Sequence, residues 1–215
     1  MLKGVIFDAD GTLLDSMRVW RELGKRYLNR KGIAADGGLA DILYPMSLEE
    51  SSVYLKRRYG LTDSVERIVA DTLAMIEEFY LTEVSLKQGV ASYLEELRKR
   101  EIPMIIATSG SRDVLVRAFE RLQIGNYFQG ILTCSELGVS KREAAVYLSA
   151  AEKLGTKPRQ TVVFEDVLHG VVSAKAAGFI TVAVEDFSNE RDRQKMREIS
   201  DYSIRDFTDA VLKTI

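Results

Sequence analysis

The chain has 215 residues, of which 46% are hydrophobic and 29% charged. This length can bury one core, or one core with a smaller attached unit. Lysine and arginine number 30 against 32 aspartates and glutamates, so the formal net charge is -2. Such a balance gives no indication of a nucleic-acid or membrane surface. We therefore expect a small-molecule partner, with no nucleic acid, no membrane and no obligate protein partner.

Cys134 and His169 are the only residues of their types in the sequence. One cysteine excludes an intramolecular disulfide and a thiolate zinc cluster, and it fits a reducing compartment. One histidine disfavours His-based zinc sites and Ser-His-Asp triads. The apolar run near the N-terminus is too short for a signal peptide, and no run approaches the roughly 18 apolar residues that span a membrane. We expect a cytoplasmic enzyme whose chemistry depends on carboxylates, hydroxyls and lysines.

Short apolar runs alternate with longer amphipathic segments along the chain. The runs that predict strands are Val5–Phe7, Pro103–Ala107, Gly130–Thr133, Thr161–Phe164 and Ile180–Val184, and near-continuous apolar runs are typical of strands covered on both faces. The segments that predict helices between them are Val90–Arg100, Arg112–Leu122, Arg142–Leu154 and Gly170–Ala177. The alternation predicts an α/β fold with a doubly wound, Rossmann-like parallel sheet. From Ser188 onward, mixed charges predict a solvated helix, then a last small strand and helix.

One stretch interrupts this alternation. Residues 16–84 contain only helical periodicity and no convincing strand, and they are far too long for an ordinary crossover connection. The pattern predicts an inserted all-helical cap domain at 16–84, with 1–15 and 85–215 forming the α/β core domain. A helical layer fixed to the sheet is the alternative.

Two carboxylates, Asp8 and Asp10, follow the first predicted strand at a spacing of two residues, in the run Asp8-Ala9-Asp10-Gly11-Thr12-Leu13-Leu14-Asp15-Ser16. A strand that gives way to a Gly turn can direct both side chains to one point. Two like charges at the edge of a core are unfavourable unless a cation or a shared proton offsets their repulsion. The pair therefore indicates a hard metal ion.

Other polar residues follow the remaining strands, where ligands bind in open parallel sheets. Thr108-Ser109-Gly110 follows the second strand, Lys141 begins the helix after the third, and Glu165-Asp166 follows the fourth. Four separate segments therefore bring carboxylates, hydroxyls and an ammonium group to one edge of the sheet.

This set of groups fits phosphoryl transfer. The oxygens of a phosphoryl group repel an attacking anion, so an attacking carboxylate needs a divalent cation and positive donors beside it. Asp8 can attack as the nucleophile, and Asp8 and Asp166 can hold Mg²⁺ through the oxygen ligands that this ion prefers. Asp10 can protonate the leaving oxygen and later deprotonate water.

The remaining candidates would hold the phosphate oxygens. They are the Thr108 hydroxyl, the Lys141 ammonium and the backbone amides at Ser109 and Gly110, which gain from the dipole of the following helix. Glu165 would support the surroundings of Asp166.

In order and spacing, these segments resemble the four motifs of the haloacid dehalogenase superfamily: Asp-x-Asp-Gly-Thr, then Thr or Ser, then Lys, then acidic residues. The resemblance covers essentially the entire chain, and the run from Phe164 to Gly178 is similar to the family's fourth motif. It implies an aspartyl-phosphate intermediate on Asp8, with Asp10 as acid and base. It also implies Mg²⁺ bound by Asp8, the Asp10 backbone carbonyl and Asp166, and it places the chain in the subfamily with small all-helical caps.

The sequence departs from the family at the third motif, where Lys-Pro is common and this chain has Ser140-Lys141-Arg142-Glu143. Structural interpretations also exist for single residues. Thr108 would also cap the helix that follows it, Lys141 alone could be a solvated lysine, and His169 would be a helix-start residue near the site.

Several alternative activities share parts of the pattern. A receiver-type regulatory domain also phosphorylates an Asp beside a Thr and a Lys, but it requires neither the Gly-Thr that follows Asp10 nor a helical insert. A phosphosugar mutase similar to beta-phosphoglucomutase carries a His in the cap, and residues 16–84 contain none. Dehalogenases and phosphonatases lack an acid at the position of Asp10. We therefore expect a Mg²⁺-dependent phosphatase of a small phosphorylated metabolite.

The substrate itself is not specified by any spacing in the insert. Trp20 could line an entrance, and Lys56-Arg57-Arg58 or Tyr44-Pro45-Met46-Ser47 could contribute to selectivity.

Overall fold

The structure, a computed structural model, describes residues 2–213. Its centre is a parallel sheet of six strands, namely β1 (Gly4–Phe7), β2 (Met104–Thr108), β3 (Phe128–Thr133), β4 (Thr161–Glu165), β5 (Ile180–Val184) and β6 (Tyr202–Ile204). The strands lie in the order β3-β2-β1-β4-β5-β6. The predicted doubly wound α/β fold is confirmed.

The two central strands are β1 and β4, and every residue of both is buried. Their register places Ile6 beside Val163 and Phe7 beside Phe164. The chain builds the sheet outward from β1 on one side and then returns to build the other side from β4. This reversal opens a crevice at the carboxyl ends of β1 and β4, where ligands bind in such sheets.

The chain divides into two compact units, one of which is the segment Ser16–Glu83. This helical unit contains α1 (Met17–Arg30), α2 (Leu39–Leu43), α3 (Leu48–Tyr59) and α4 (Val65–Thr82). None of its residues, all of which the structure describes, belongs to a strand. Val84 lies with the larger unit, one residue before the boundary drawn from the sequence.

Apolar side chains hold the helical unit together, and its helix ends are capped. Its core is formed by Tyr27, Leu28, Leu39, Leu55, Leu61, Ile68 and Met75. Ser47 and Glu50 form a reciprocal capping box at the start of α3, and Ser64 caps α4, which satisfies backbone amides that lack partners inside each helix. The unit also contains a cavity of about 270 Å³.

The helices of the larger unit are α5 (Val90–Lys99), α6 (Arg112–Arg121), α7 (Cys134–Leu137), α8 (Ala145–Leu154), α9 (Leu168–Ala176) and α10 (Arg193–Ile199). On one face of the sheet, Val146 and Tyr147 of α8 join a core cluster with Ile6, Ile105 and Val163. A second cluster is aromatic and contains Phe7, Tyr93, Phe164 and Phe207. None of the described helices is both long and apolar enough to cross a membrane.

The predicted start of the helix at Arg142 is wrong, and so is the prediction that Lys141 begins that helix. The Glu143 amide donates to the Ser140 carbonyl at 3.0 Å and closes a turn, and α8 begins only at Ala145. The Lys141 carbonyl accepts a hydrogen bond from Ser173 Oγ at 2.6 Å. Because this oxygen is engaged with α9, Lys141 lies in a turn before the helix.

Candidate active site

The strand β1 delivers Asp8 and Asp10 to the carboxyl edge of the sheet. The Asp8 amide donates to the Phe164 carbonyl at 3.0 Å, so pairing with β4 continues one residue past β1. The chain then turns at Gly11, whose φ of 73° is easily adopted only by glycine. Asp8 is 4% exposed, whereas Asp10 is half-buried.

Lys141 lies between two buried carboxylates. Its ammonium nitrogen contacts Asp8 Oδ1 and lies 2.5 Å from Glu165 Oε1. Burial opposes the charge of Lys141, but the Asp8 and Glu165 carboxylates outweigh this effect and raise the pKa of Lys141. The turn at 140–143 therefore presents a permanent cation to the nucleophile candidate.

Glu165 is held from several sides. Its Oε1 accepts a hydrogen bond from the Tyr147 hydroxyl at 2.7 Å, and its Oε2 accepts one from the Val167 amide at 3.3 Å. A Cβ placed on Gly170 would lie 2.7 Å from Glu165 Cδ and 2.8 Å from the Tyr147 oxygen. Only glycine lets α9 approach Glu165 and Tyr147 so closely. A larger residue at this position would displace Glu165 from Lys141.

Asp166 faces the same point from the neighbouring position of the chain. Its Oδ1 lies 3.4 Å from the Thr12 hydroxyl, and its Oδ2 accepts from Asn189 Nδ2 at 3.0 Å. Burial raises the pKa of Asp166 well above its ordinary value, and the Asp8 and Glu165 carboxylates raise it further. This carboxylate thus accepts hydrogen bonds, but it forms no direct ion pair within residues 2–213.

Asp8, Glu165 and Asp166 each place one oxygen within 4.8 Å of the others. Burial raises the pKa of Asp8 to about 7; the Lys141 ammonium opposes the shift, and Glu165 and Asp10 add to it. Three carboxyl groups meet one ammonium group, so full ionisation would leave the cluster with more negative than positive charge. An oxygen-only donor set with surplus negative charge fits a hard divalent cation.

The loop after β2 brings in the predicted phosphate-binding residues. Thr108 is the last residue of the strand and is buried, and its Oγ1 accepts from the Gly110 amide at 2.9 Å. The prediction that Thr108 caps the next helix is wrong, because α6 begins at Arg112 with Ser111 at its N-cap. The early turn of the loop moves the N-cap to Ser111, three residues beyond Thr108.

This loop also lies beside the second carboxylate. A Cβ on Gly110 would lie 3.0 Å from Asp10 Oδ2 and 3.3 Å from Thr108 Oγ1. The Ser109 side chain is exposed, and its Oγ lies 3.6 Å from Cys134 Sγ. His169 is exposed in the first turn of α9.

Within the helical unit, two of the residues considered for selectivity have structural partners. Lys56 Nζ donates to the carbonyl of Asp63 at 2.5 Å and to that of Leu61 at 3.2 Å, and Arg58 pairs with Asp36. The unit's cavity is lined by Trp20, Leu23, Gly24, Leu43, Tyr44, Met46, Leu48, Ser51, Ser52, Leu55 and Thr72. Of the residues considered for selectivity, Trp20, Tyr44 and Met46 therefore line this cavity.

Three side chains at the edge of the sheet were not found from the sequence: Thr12, Tyr147 and Asn189. Tyr147 carries the only available signal, because a tyrosine on the apolar face of a predicted helix needs a partner for its hydroxyl. Thr12 was identified only as part of the motif that begins at Asp8, without a contact to Asp166. Nothing in the sequence predicts that Asn189 reaches Asp166.

The family model described as haloacid dehalogenase-like hydrolase matches residues 5–184. Two enzymes are similar over most of the chain. Validoxylamine A 7'-phosphate phosphatase from Streptomyces hygroscopicus subsp. limoneus is 25% identical over 97% of this chain and 96% of its own. Hexitol phosphatase A from Escherichia coli (strain K12) is 31% identical over 85% of this chain and 82% of its own.

Solved structures share the fold. A Thermotoga maritima protein provisionally assigned as a beta-phosphoglucomutase superposes with a TM-score of 0.84 at 23% identity, covering 94% of both chains. CbbY from Rhodobacter sphaeroides, solved in complex with phosphate, gives a TM-score of 0.70 at 21% identity, covering 97% of this chain and 96% of its own.

Proposed function

The chain belongs to the haloacid dehalogenase-like hydrolase family and is a phosphomonoesterase, and we propose that it hydrolyses a small phosphorylated metabolite through an aspartyl-phosphate on Asp8. The observation that carries the proposal is the buried cluster of Asp8, Glu165 and Asp166 around Lys141. Packing alone gives no reason to bury three carboxylates with one ammonium group.

In the first step, a carboxylate oxygen of Asp8 attacks the phosphorus atom, and the bond from phosphorus to the leaving oxygen breaks. Asp10 gives its proton to that oxygen, so the product leaves as an alcohol. In the second step, Asp10 takes a proton from water as the water oxygen attacks the same phosphorus atom. The bond from Asp8 to phosphorus then breaks and inorganic phosphate is released.

Lys141 has two functions in this proposal. Its ammonium group orients the Asp8 carboxylate, which it contacts, and it attracts the phosphate oxygens as they approach. The Thr108 hydroxyl and the loop at Ser109 and Gly110 bind the remaining oxygens. In the structure, the Gly110 amide donates to Thr108 Oγ1, so phosphate would compete with that internal bond.

The residues that would hold Mg²⁺ are Asp8, Asp166 and the backbone carbonyl of Asp10. When bound, the ion would supply the positive charge that lets an anionic carboxylate approach an anionic phosphoryl group. Burial and mutual repulsion raise the pKa values of Asp8 and Asp166, which is consistent with a site suited to a cation.

The names of the relatives favour a phosphorylated sugar or sugar alcohol as the substrate class. One relative is a hexitol phosphatase, and another, from Thermotoga maritima, is a phosphorylated carbohydrates phosphatase at 27% identity. The first panel to test therefore contains hexose, pentose and polyol monophosphates. We assign the choice among them to the helical unit, and we propose a cytoplasmic location.

The test is release of inorganic phosphate from this panel with and without Mg²⁺, by the unsubstituted protein and by Asp8→Asn. The variant should lose all detectable turnover while keeping its circular dichroism spectrum, because an amide cannot form the acyl phosphate. The matched control is Asp201→Asn. Asp201 directly precedes β6, at the amino end of the parallel strands, and pairs with Lys175, so this variant should retain activity. Turnover by Asp8→Asn would contradict the mechanism.

The same assay distinguishes the two alternative activities. A phosphosugar mutase would convert one sugar phosphate into another with little phosphate release, and the absence of histidine from residues 16–84 disfavours it. A regulatory switch would accumulate a long-lived phosphate on Asp8 without turnover.

A further inference from the structure

Asn189 makes a double contact with Asp166. Its Nδ2 donates to Asp166 Oδ2 at 3.0 Å and to the Asp166 backbone carbonyl at 2.7 Å. Among residues 2–213, the side chains that donate to Asp166 are those of Thr12 and Asn189, and the Thr12 bond is the longer one at 3.4 Å. Because Asn189 binds the main chain and the side chain of one residue, it restrains both the loop and the rotamer of Asp166.

The loop that carries Asn189 is itself fixed by a buried ion pair. Asn189 ends a 3-10 turn that starts at Phe187, and the Asp186 carboxylate accepts from the Ser188 amide at 2.9 Å. Asp186 also pairs with Lys87 at 2.9 Å, and Lys87 donates to the Glu185 carbonyl at 2.8 Å. The two side chains of the pair are 3% and 10% exposed, respectively. The anchored loop therefore holds the Asn189 amide in place.

The chemistry of the amide explains why an asparagine suits this position. A lysine or arginine beside Asp166 would neutralise its carboxylate and compete with a metal ion. An amide hydrogen bond fixes the carboxylate but leaves its negative charge available to a cation. Lys141, the cation of the cluster, contacts Asp8 and Glu165.

We propose, on the basis of the Mg²⁺ site in the proposed function, that Asn189 is a positioning residue that holds Asp166 in the orientation required for metal binding. Outer groups of this kind typically change metal affinity or activity by about 10- to 100-fold when removed. The hydrogen bonds of the Asn189 amide go to Asp166 and to the neighbouring Ser188 hydroxyl, so its loss should act through the metal.

The experiment measures Mg²⁺ binding by isothermal titration calorimetry without substrate, and then phosphatase activity against Mg²⁺ concentration. The variants are Asn189→Ala and Asn189→Leu, the second of which keeps the branched shape of the side chain while removing the donor. We expect the Kd for Mg²⁺ to rise about 10- to 100-fold in both. We also expect kcat at saturating Mg²⁺ to return to within about threefold of the unsubstituted protein.

The control is Asn126→Ala, because Asn126 is an exposed asparagine in another 3-10 turn, Gly125–Tyr127, and its loss should leave Mg²⁺ affinity unchanged. A purely structural contribution of Asn189 would lower the melting temperature and leave the Kd for Mg²⁺ unaltered. An unchanged Kd in folded Asn189→Leu would therefore overturn the positioning role. If the unsubstituted protein hydrolyses phosphate esters without binding Mg²⁺, the metal site fails and the role of Asn189 fails with it.

Discussion

A buried ion-pair cluster of the larger unit and an exposed ion pair of the helical unit place their charges in opposite environments. In the larger unit, the side chains of Lys141, Asp8 and Glu165 pair with one another at 6% exposure or less. In the helical unit, Arg21 and Asp41 pair at 47% and 72% exposure. Exposed pairs contribute little to stability, whereas buried pairs bear a desolvation penalty that only good geometry offsets. The comparison indicates that the charges of the buried cluster are retained for chemistry and those of the exposed pair for solvation.

After the complete loss expected for Asp8→Asn, the largest expected effect comes from the second carboxylate at the sheet edge. Asp10→Asn should lower kcat by about 10²- to 10⁴-fold, the usual contribution of general acid-base catalysis. KM should change far less, because proton transfer occurs in the transition state. Steady-state kinetics on the best substrate of the panel would measure both constants. A near-normal kcat would show that another acid protonates the leaving group.

A smaller effect should follow from crowding the buried cluster without removing any charge. Gly170→Ala would place a methyl group 2.7 Å from Glu165 Cδ, and overpacking of this kind costs about 1 to 3 kcal/mol. We expect a lower melting temperature and a lower kcat, since Glu165 would shift relative to Lys141. In the control Gly125→Ala, the new methyl group would meet nothing closer than 3.9 Å. Equal stability and kcat in the two variants would show that the Glu165 contact is dispensable.

The smallest expected effect belongs to the exposed pair of the helical unit. Arg21→Ala removes a contact of 2.6 Å between two largely exposed side chains. The free energy of unfolding should fall by less than about 1 kcal/mol, and kcat should not change. Chemical denaturation and steady-state kinetics would measure these quantities. A large loss of kcat in a stably folded variant would contradict the inference that this exposed pair is retained for solvation.

The sequence was sufficient to predict the sheet and the residues at its carboxyl edge. Strands with continuous apolar runs, such as Thr161–Phe164, leave little ambiguity, and the parallel order brings Asp8, Lys141 and Asp166 to one place. Local geometry was harder to predict. The helix after Lys141 starts later than expected because Ser173, distant in sequence, binds the Lys141 carbonyl.

Contacts made by residues outside the strand ends were not predictable from the sequence. Asn189 reaches Asp166 from a loop that the Lys87–Asp186 pair anchors to a distant part of the chain. Thr108 would fit a helix N-cap by composition, but the turn at Gly110 displaces the helix start to Arg112. For Asn189, a partner distant in sequence determines the contact. For Thr108, the turn at Gly110 outweighs the preference of threonine for a helix N-cap.

The central claim is that Asp8 becomes covalently phosphorylated during turnover. The most direct measurement is mass spectrometry of peptides from enzyme quenched with acid during turnover with Mg²⁺ and its best substrate. We predict a phosphate group on the peptide that contains Asp8, removable by hydroxylamine and absent from Asp8→Asn. Rapid turnover with no phosphorylated Asp8 peptide, together with an active Asp8→Asn variant, would contradict the account.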